Sequence, residues 1–150
     1  MVSKEVEKLL LKVQKPGRYV GGELNEVIKD KKKVDCRFAF CFPDTYEVGM
    51  SHLGMKILYS LMNAVPYIWC ERVFAPWVDM EEEMIKHNIP LYALESGDPV
   101  SDFDFIGFTL QYELSFTNML NMLRLSSVPI KSCDRKELKN IVVAGGQCAC

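Results

Sequence analysis

Four glycines and a histidine are the residues of this chain best suited to meet a ligand. Gly49 and Gly54 flank His52 in segment 43–54, and Gly145-Gly146 follows the apolar run IVVA. Glycine lets backbone come close to a bound group, and a loop feeding a helix offers unpaired N–H groups that suit a phosphate. His52 stands at the expected start of a helix, where three roles are open to it: metal ligand, base or helix cap. His87, in Lys86-His87-Asn88 at a helix end, reads as a solvated residue favourable to the helix dipole. Neither histidine has the Ser/Asp or Cys/Asp company of a hydrolase. Glu113, in QYELS, reads either as a carboxylate at the ligand edge or as a helix-start residue. No catalytic residue and no metal set is assigned.

The six cysteines, at 36, 41, 70, 133, 148 and 150, read as free thiols of a reducing cytoplasm, because the N-terminus MVSKEVEKLLLKVQK has no long apolar signal core. Cys36 and Cys41 lie inside an apolar run and read as small core residues. Cys148-Ala-Cys150 lacks the second pair that a zinc site needs. The acidic run at 79–83 opens a helix, where the dipole favours negative charge. Met55, Met62, Met119 and Met122 recur at helical spacing and read as core filler. A net charge of −2 supplies no basic field for phosphate backbones, so nucleic-acid binding has no electrostatic support. No apolar stretch approaches the roughly 20 residues of a membrane span.

The elements that must position these groups follow from periodicity. Val6, Leu9, Leu10 and Val13 form one face of an amphipathic helix, with Ser3 as cap and Pro16-Gly17 as stop. Residues 18–33 are loop-like and charged, so 1–33 reads as an N-terminal helix and arm ahead of a domain at 34–150. Candidate strands are 36–42, 70–75, 105–110 and 141–144, with 91–94 a weaker fifth that is either an edge strand or merely extended. Helices are expected at 53–64, 80–87 and 116–125, and a short one near 135–139. Apolar strands alternating with helices predict an α/β fold: a Rossmann-like or flavodoxin-like parallel sheet covered on both faces. The chain stops just after IVVAGG, where such a sheet ordinarily continues, so the domain is expected to be incomplete at its C-terminus and part of something longer.

In an open parallel sheet ligands bind beyond the carboxyl ends of the strands, here loops 43–54, 76–79, 111–115 and 145–148. The first loop carries neither G-x-G-x-x-G nor G-x-x-x-x-G-K-[ST], which argues against a dinucleotide enzyme or an ATPase. It also lacks the run of Ser and Thr donors that would hold a flavin phosphate.

The segments PGRYVGGELN, FPDTYEVGMSHLGMKILY, CERVFAPWVDME, LESGDPVSDFDFIGFTLQYELSFTNMLNML and VVAGG, in collinear order from Pro16 to Gly146, closely resemble the N-terminal region of a group of cobalamin-binding-type radical SAM proteins. The resemblance implies a cobalamin-binding-like fold here, followed in the full protein by a radical SAM barrel. That barrel would carry a C-x-x-x-C-x-x-C motif for a [4Fe-4S] cluster and S-adenosylmethionine. It would be this domain's partner within one polypeptide. Cys148-Ala-Cys150 has the wrong spacing for that motif. The best-known cobalamin pattern, D-x-H-x-x-G, is broken around His52, since Met50 replaces the Asp and Met55 the Gly. By resemblance, Ser51, His52 and Gly54 would approach a cobalamin from the first loop, Thr109 and Gln111 from the third, and Gly145 and Gly146 from the fourth. The alternative is a non-catalytic scaffold that keeps the fold and docks a substrate or partner.

Overall fold

Seven residues, CRFAFCF, make the first strand because they are apolar and β-favouring on both faces, as a strand buried between two helix layers requires. The computed structural model describes residues 3–135 and 139–149. The strands are β1 (Cys36–Phe42), β2 (Ile68–Phe74), β3 (Phe105–Thr109) and β4 (Ile141–Gly145). They form one all-parallel sheet in the order β2-β1-β3-β4. The helices are α1 (Lys4–Leu10), α2 (Tyr46–Ser51), α3 (Leu53–Asn63), α4 (Val78–His87) and α5 (Ser115–Leu125). The α/β architecture read from the sequence is the one observed. Among the described residues, no helix is long and apolar enough to cross a membrane.

Strand alternation sorts the core into two layers. Ala39, Cys41, Val73, Ile106 and Phe108 face one side, with Met80 and Met84 of α4, Met122 and Leu123 of α5, and Val6 and Leu9 of α1. Phe40, Phe42, Cys70 and Phe74 face the other, under Met55 and Tyr59 of α3. The expected filler role of the methionines holds: Met55 and Met122 are buried, and Met62 and Met119 pack against the two clusters. Ser3 caps α1 by accepting the Val6 N–H at 3.3 Å. The acidic start of α4 ties its neighbours together, with Asp79 accepting from Gln14 N at 2.8 Å, Glu83 pairing Lys12 at 2.7 Å and Glu81 pairing Arg124 at 3.0 Å.

Two expectations change in detail, and for 91–94 the extended alternative is the one observed. β2 begins at Ile68 rather than 70, because Trp69 is buried and pairs with Arg37 in the register. Segment 43–54 is not a glycine loop but contains α2. Gly49 lies inside that helix, where a Cβ would stand 2.2 Å from a Phe74 ring carbon. Its small size serves packing. Segment 91–94 is extended without being a strand of the sheet: Ala93 and Asp98 close a tight reversal around Gly97, and Leu94 N–H reaches Arg72 O at 2.9 Å. Finally, a turn spans Ser132–Asp134, and most of the helix expected near 135–139 lies outside the described residues.

The 18–33 arm stays out of the sheet, as read, but is pinned to it. Trp69 Nε1 donates to Val27 O at 2.9 Å, and Val27 N–H donates to Tyr59 Oη at 2.8 Å. Lys29 Nζ reaches the carbonyls of Asn63 and Val65 at 2.9 and 2.8 Å, satisfying the end of α3.

Candidate functional site

β1 runs on to β2 on one side and β3 runs on to β4 on the other, so the strand order reverses between β1 and β3. A ligand crevice forms beyond the carboxyl ends of the strands at such a reversal. Ser51, His52 and Gly54 follow β1 at the α2–α3 junction, Thr109 and Gln111 end β3, and Gly145 and Gly146 end β4. The sheet order therefore places all seven at one edge, over three adjacent strands.

Their local bonding is specific. Ser51 Oγ donates back to Glu47 O at 2.6 Å, closing the last turn of α2. His52 is the N-cap of α3: its Nδ1 accepts the Met55 N–H at 3.2 Å, and the ring lies 5.4 Å from that of Phe42. Of the three roles open to His52, the structure shows the cap. Gln111 Nε2 donates to Thr109 Oγ1. Thr109 and Gly145 are register partners. A Cβ on Gly145 would meet nothing within 4 Å, whereas one on Gly146, at φ +125°, would stand 2.3 Å from Leu110 O. Gly146 is thus required by loop packing, and Gly145 leaves open space. Glu113 is exposed in the turn before α5.

Three residues at this edge went unread in the sequence. Tyr112 Oη donates to Asp44 Oδ2, joining the loop after β3 to the loop after β1. Asn118 Nδ2 donates to Pro43 O at 2.9 Å across the same gap. The Asp44 carboxylate beside it, together with burial, pushes the Tyr112 phenol up to about 12. These bonds tie the loop after β1 to the loop after β3 and to α5. An Asp just past an apolar strand was the available signal, but its partner lies 68 residues away.

A cleft of about 830 Å³ lies between α3 and residues 23–27, with Met50, Met55, Tyr59 and Arg72 in its walls. Arg72, 5 % exposed, reaches Glu95 Oε1 through Nε at 2.6 Å and Glu23 Oε2 through Nη2 at 2.8 Å. Its guanidinium lies 4.9 Å from the Tyr59 ring centroid. Burial pushes the Glu95 carboxyl up to about 7, with Arg72 offsetting only part of the rise. Burial alone would lower Arg72, yet Glu95 and Glu23 hold it above its ordinary value. Glu23 is the reverse: burial raises it, but Tyr46 and Arg72 bring it below the usual range.

Cys41 and Cys70 are buried, and burial pushes both thiols up, which keeps them protonated and inert. Cys36 is half-buried, so the reading of Cys36 and Cys41 as strand-core residues holds fully for the second. Among the described residues no three His, Cys, Asp or Glu side chains converge as a metal set. Cys150 lies outside the described residues.

The residues at the strand ends fit one way of holding cobalamin and not another. Open space at Gly145 and neutral donors on Thr109 and Gln111 suit a cofactor held by backbone approach and amide or hydroxyl contacts. Ligation of cobalt by His52 does not fit the cap geometry: Nδ1 is taken by the Met55 N–H, and in a neutral ring whose Nδ1 accepts, Nε2 carries the proton and offers no lone pair.

Among known families, the profile described as "Radical SAM proteins, N-terminal" aligns with residues 54–150. No curated protein and no solved structure matches the chain. The family match covers α3 and every strand after β1, so it spans most of the elements that build this edge. The chain belongs to the family formed by the N-terminal region of radical SAM proteins.

Proposed function

We propose that this chain is the N-terminal cofactor-binding module, of the cobalamin type, of a radical SAM iron–sulfur enzyme. The observation that carries the reading is the reversal of strand order between β1 and β3, with Thr109, Gln111 and Gly145 gathered at that edge of an all-parallel sheet. Bound there, cobalamin would relay a methyl group or tune electron flow. The [4Fe-4S] cluster and S-adenosylmethionine belong, in this reading, to a downstream radical SAM domain of the same polypeptide, in a reducing cytoplasm.

The chain's own residues would act by shape and neutral hydrogen bonds. Gly145 admits a group against the backbone, Thr109 and Gln111 exchange their mutual bond for bonds to it, and Tyr112 must leave Asp44 for the crevice to open. His52 keeps α3 capped and Ser51 closes α2, so both position the first loop; Gly54 follows in the first turn of α3. Gly146 holds the fourth loop against Leu110.

The test is a titration of the chain with hydroxocobalamin and methylcobalamin, read by absorbance after dialysis. Retained corrinoid, lost in Gly145→Leu at unchanged stability, supports the reading. A folded chain that retains none favours the second reading, a non-catalytic docking scaffold. One observation speaks for that alternative: Tyr112–Asp44 and Asn118–Pro43 tie the loop after β1 to the loop after β3 and to α5.

A further inference from the structure

The cleft between α3 and residues 23–27 is fixed at both ends of its outer wall. At one end Glu23 accepts from Arg72 Nη2 and from Tyr46 Oη, each at 2.8 Å. At the other, Tyr59 Oη holds the N–H of Val27 and Trp69 Nε1 holds its carbonyl. The space between them, about 830 Å³, is therefore formed before anything enters it. It lies within the roughly 300–1,000 Å³ usual for small-molecule sites. None of the seven strand-end residues lines it.

Its walls and floor define what would fit. Met50, Met55 and the ring of Tyr59 are apolar, and thioether side chains adapt to the outline of a planar group. Leu24 stands fully exposed at the lip, where a ligand would cover it. The floor is the buried Arg72. Two of its guanidinium nitrogens bond carboxylates, but the third, Nη1, donates to Met50 Sδ at 3.2 Å. A thioether is a weak acceptor, so an oxygen reaching Nη1 would make a stronger, charge-assisted bond than the one it displaces. The lining sets Glu23 and Glu26 against Lys56 and Arg72, so its charges cancel. An anion at the guanidinium would meet Glu23 and Glu95, and a cation would meet Arg72 itself.

We propose that this cleft is a ligand site, separate from the strand-end edge, for a neutral and mainly apolar molecule with a planar body and one carbonyl-type oxygen. The oxygen accepts from Arg72 Nη1 in place of the Met50 thioether. The body lies between α3 and the arm and covers Leu24. The site does not depend on cobalamin, and either reading can fail without the other.

The probe is prodan, a neutral planar naphthyl ketone whose emission moves to the blue in an apolar site. Titrated with the chain, it should show a saturable blue shift at micromolar concentration. Ser60 is exposed and lines the cleft, so Ser60→Trp should fill it and weaken binding at least about tenfold at an unchanged thermal midpoint. In the unaltered chain, a competitor with a methylene in place of the carbonyl should bind about tenfold more weakly although it is more apolar, because it offers Arg72 no acceptor. That comparison needs no variant and stands even where Ser60→Trp misfolds. A folded chain that gives no saturable shift, or a shift that Ser60→Trp leaves unchanged, overturns the proposal. Equal binding of the methylene competitor also overturns it, as does anionic anilinonaphthalenesulfonate binding in the cleft as tightly as prodan.

Discussion

Arg72 and Glu95 are joined twice at the edge of the sheet: Arg72 Nε donates to Glu95 Oε1 at 2.6 Å, and the Arg72 backbone N–H donates to Oε2 at 2.7 Å. The second bond satisfies an edge-strand amide with a side chain instead of another strand. With Glu23 on the far side of the guanidinium, one arginine pins the N-terminal arm and the 91–98 reversal to β2.

Truncating that arginine leaves the Glu95 carboxylate buried without its charge partner. Removing one member of a buried pair typically costs about 3–5 kcal/mol. Arg72→Ala is expected to lower stability by roughly that amount in urea denaturation, and to free the 23–27 segment for proteolysis. A loss below about 1 kcal/mol would show that the network is not coupled to folding.

Glu95 also sets a pH dependence. Its carboxyl rises from an ordinary 4.5 to about 7 on folding, so between those values the folded chain holds more protons than the unfolded one. The stability from this group is fully present below the unfolded value and is lost as pH rises through about 7. Urea midpoints measured at pH 5, 6, 7 and 8 should fall from pH 5 to 7 and level off by pH 8. Glu95→Gln should flatten the fall, and an unaltered slope in that variant would assign it to other groups.

The adjacent glycines separate packing from binding. Gly146→Ala places a Cβ against Leu110 O at a positive φ, so it should destabilise the chain by about 1–3 kcal/mol. Gly145→Ala meets open space and should leave the thermal midpoint within a degree or two. If both are neutral, the close approach of the β3 and β4 loops is not maintained in solution.

Tyr112→Phe removes the bond between the loops after β1 and β3 while keeping the ring. A single such bond contributes about 0.5–1.5 kcal/mol, up to about 3 when its acceptor is charged. If this edge holds corrinoid as proposed, the variant should bind it faster than the unsubstituted chain in stopped-flow absorbance while losing little stability. Slower or unchanged association would mean that Tyr112 does not gate the edge.

Much of the fold was legible because it depends on neighbours in sequence. CRFAFCF, DFIGF and IVVAG announce strands through short apolar runs, and Leu53 to Asn63 announces a helix through its 3.6-residue period. Alternation of the two kinds of segment then implies a parallel sheet. Gly49 shows where this reasoning runs out. Its type suggests a flexible ligand loop, but the Phe74 ring that requires a glycine there belongs to another strand.

The charged pair Glu71-Arg72 inside β2 marks the same boundary. By composition it interrupts a strand, and nothing local says what neutralises it. The partners are Arg37, 34 residues from Glu71, and Glu95 and Glu23, 23 and 49 residues from Arg72. The sequence by itself determined the four strands, the helices other than α2, their parallel arrangement and the radical SAM family, since periodicity and collinear motifs are properties of the chain read in order. Only the tertiary structure decided that His52 caps a helix, that Tyr112 bridges to Asp44, and that Gly146 packs against Leu110. Each of these depends on which distant segments the packing brings within a few ångströms of one another.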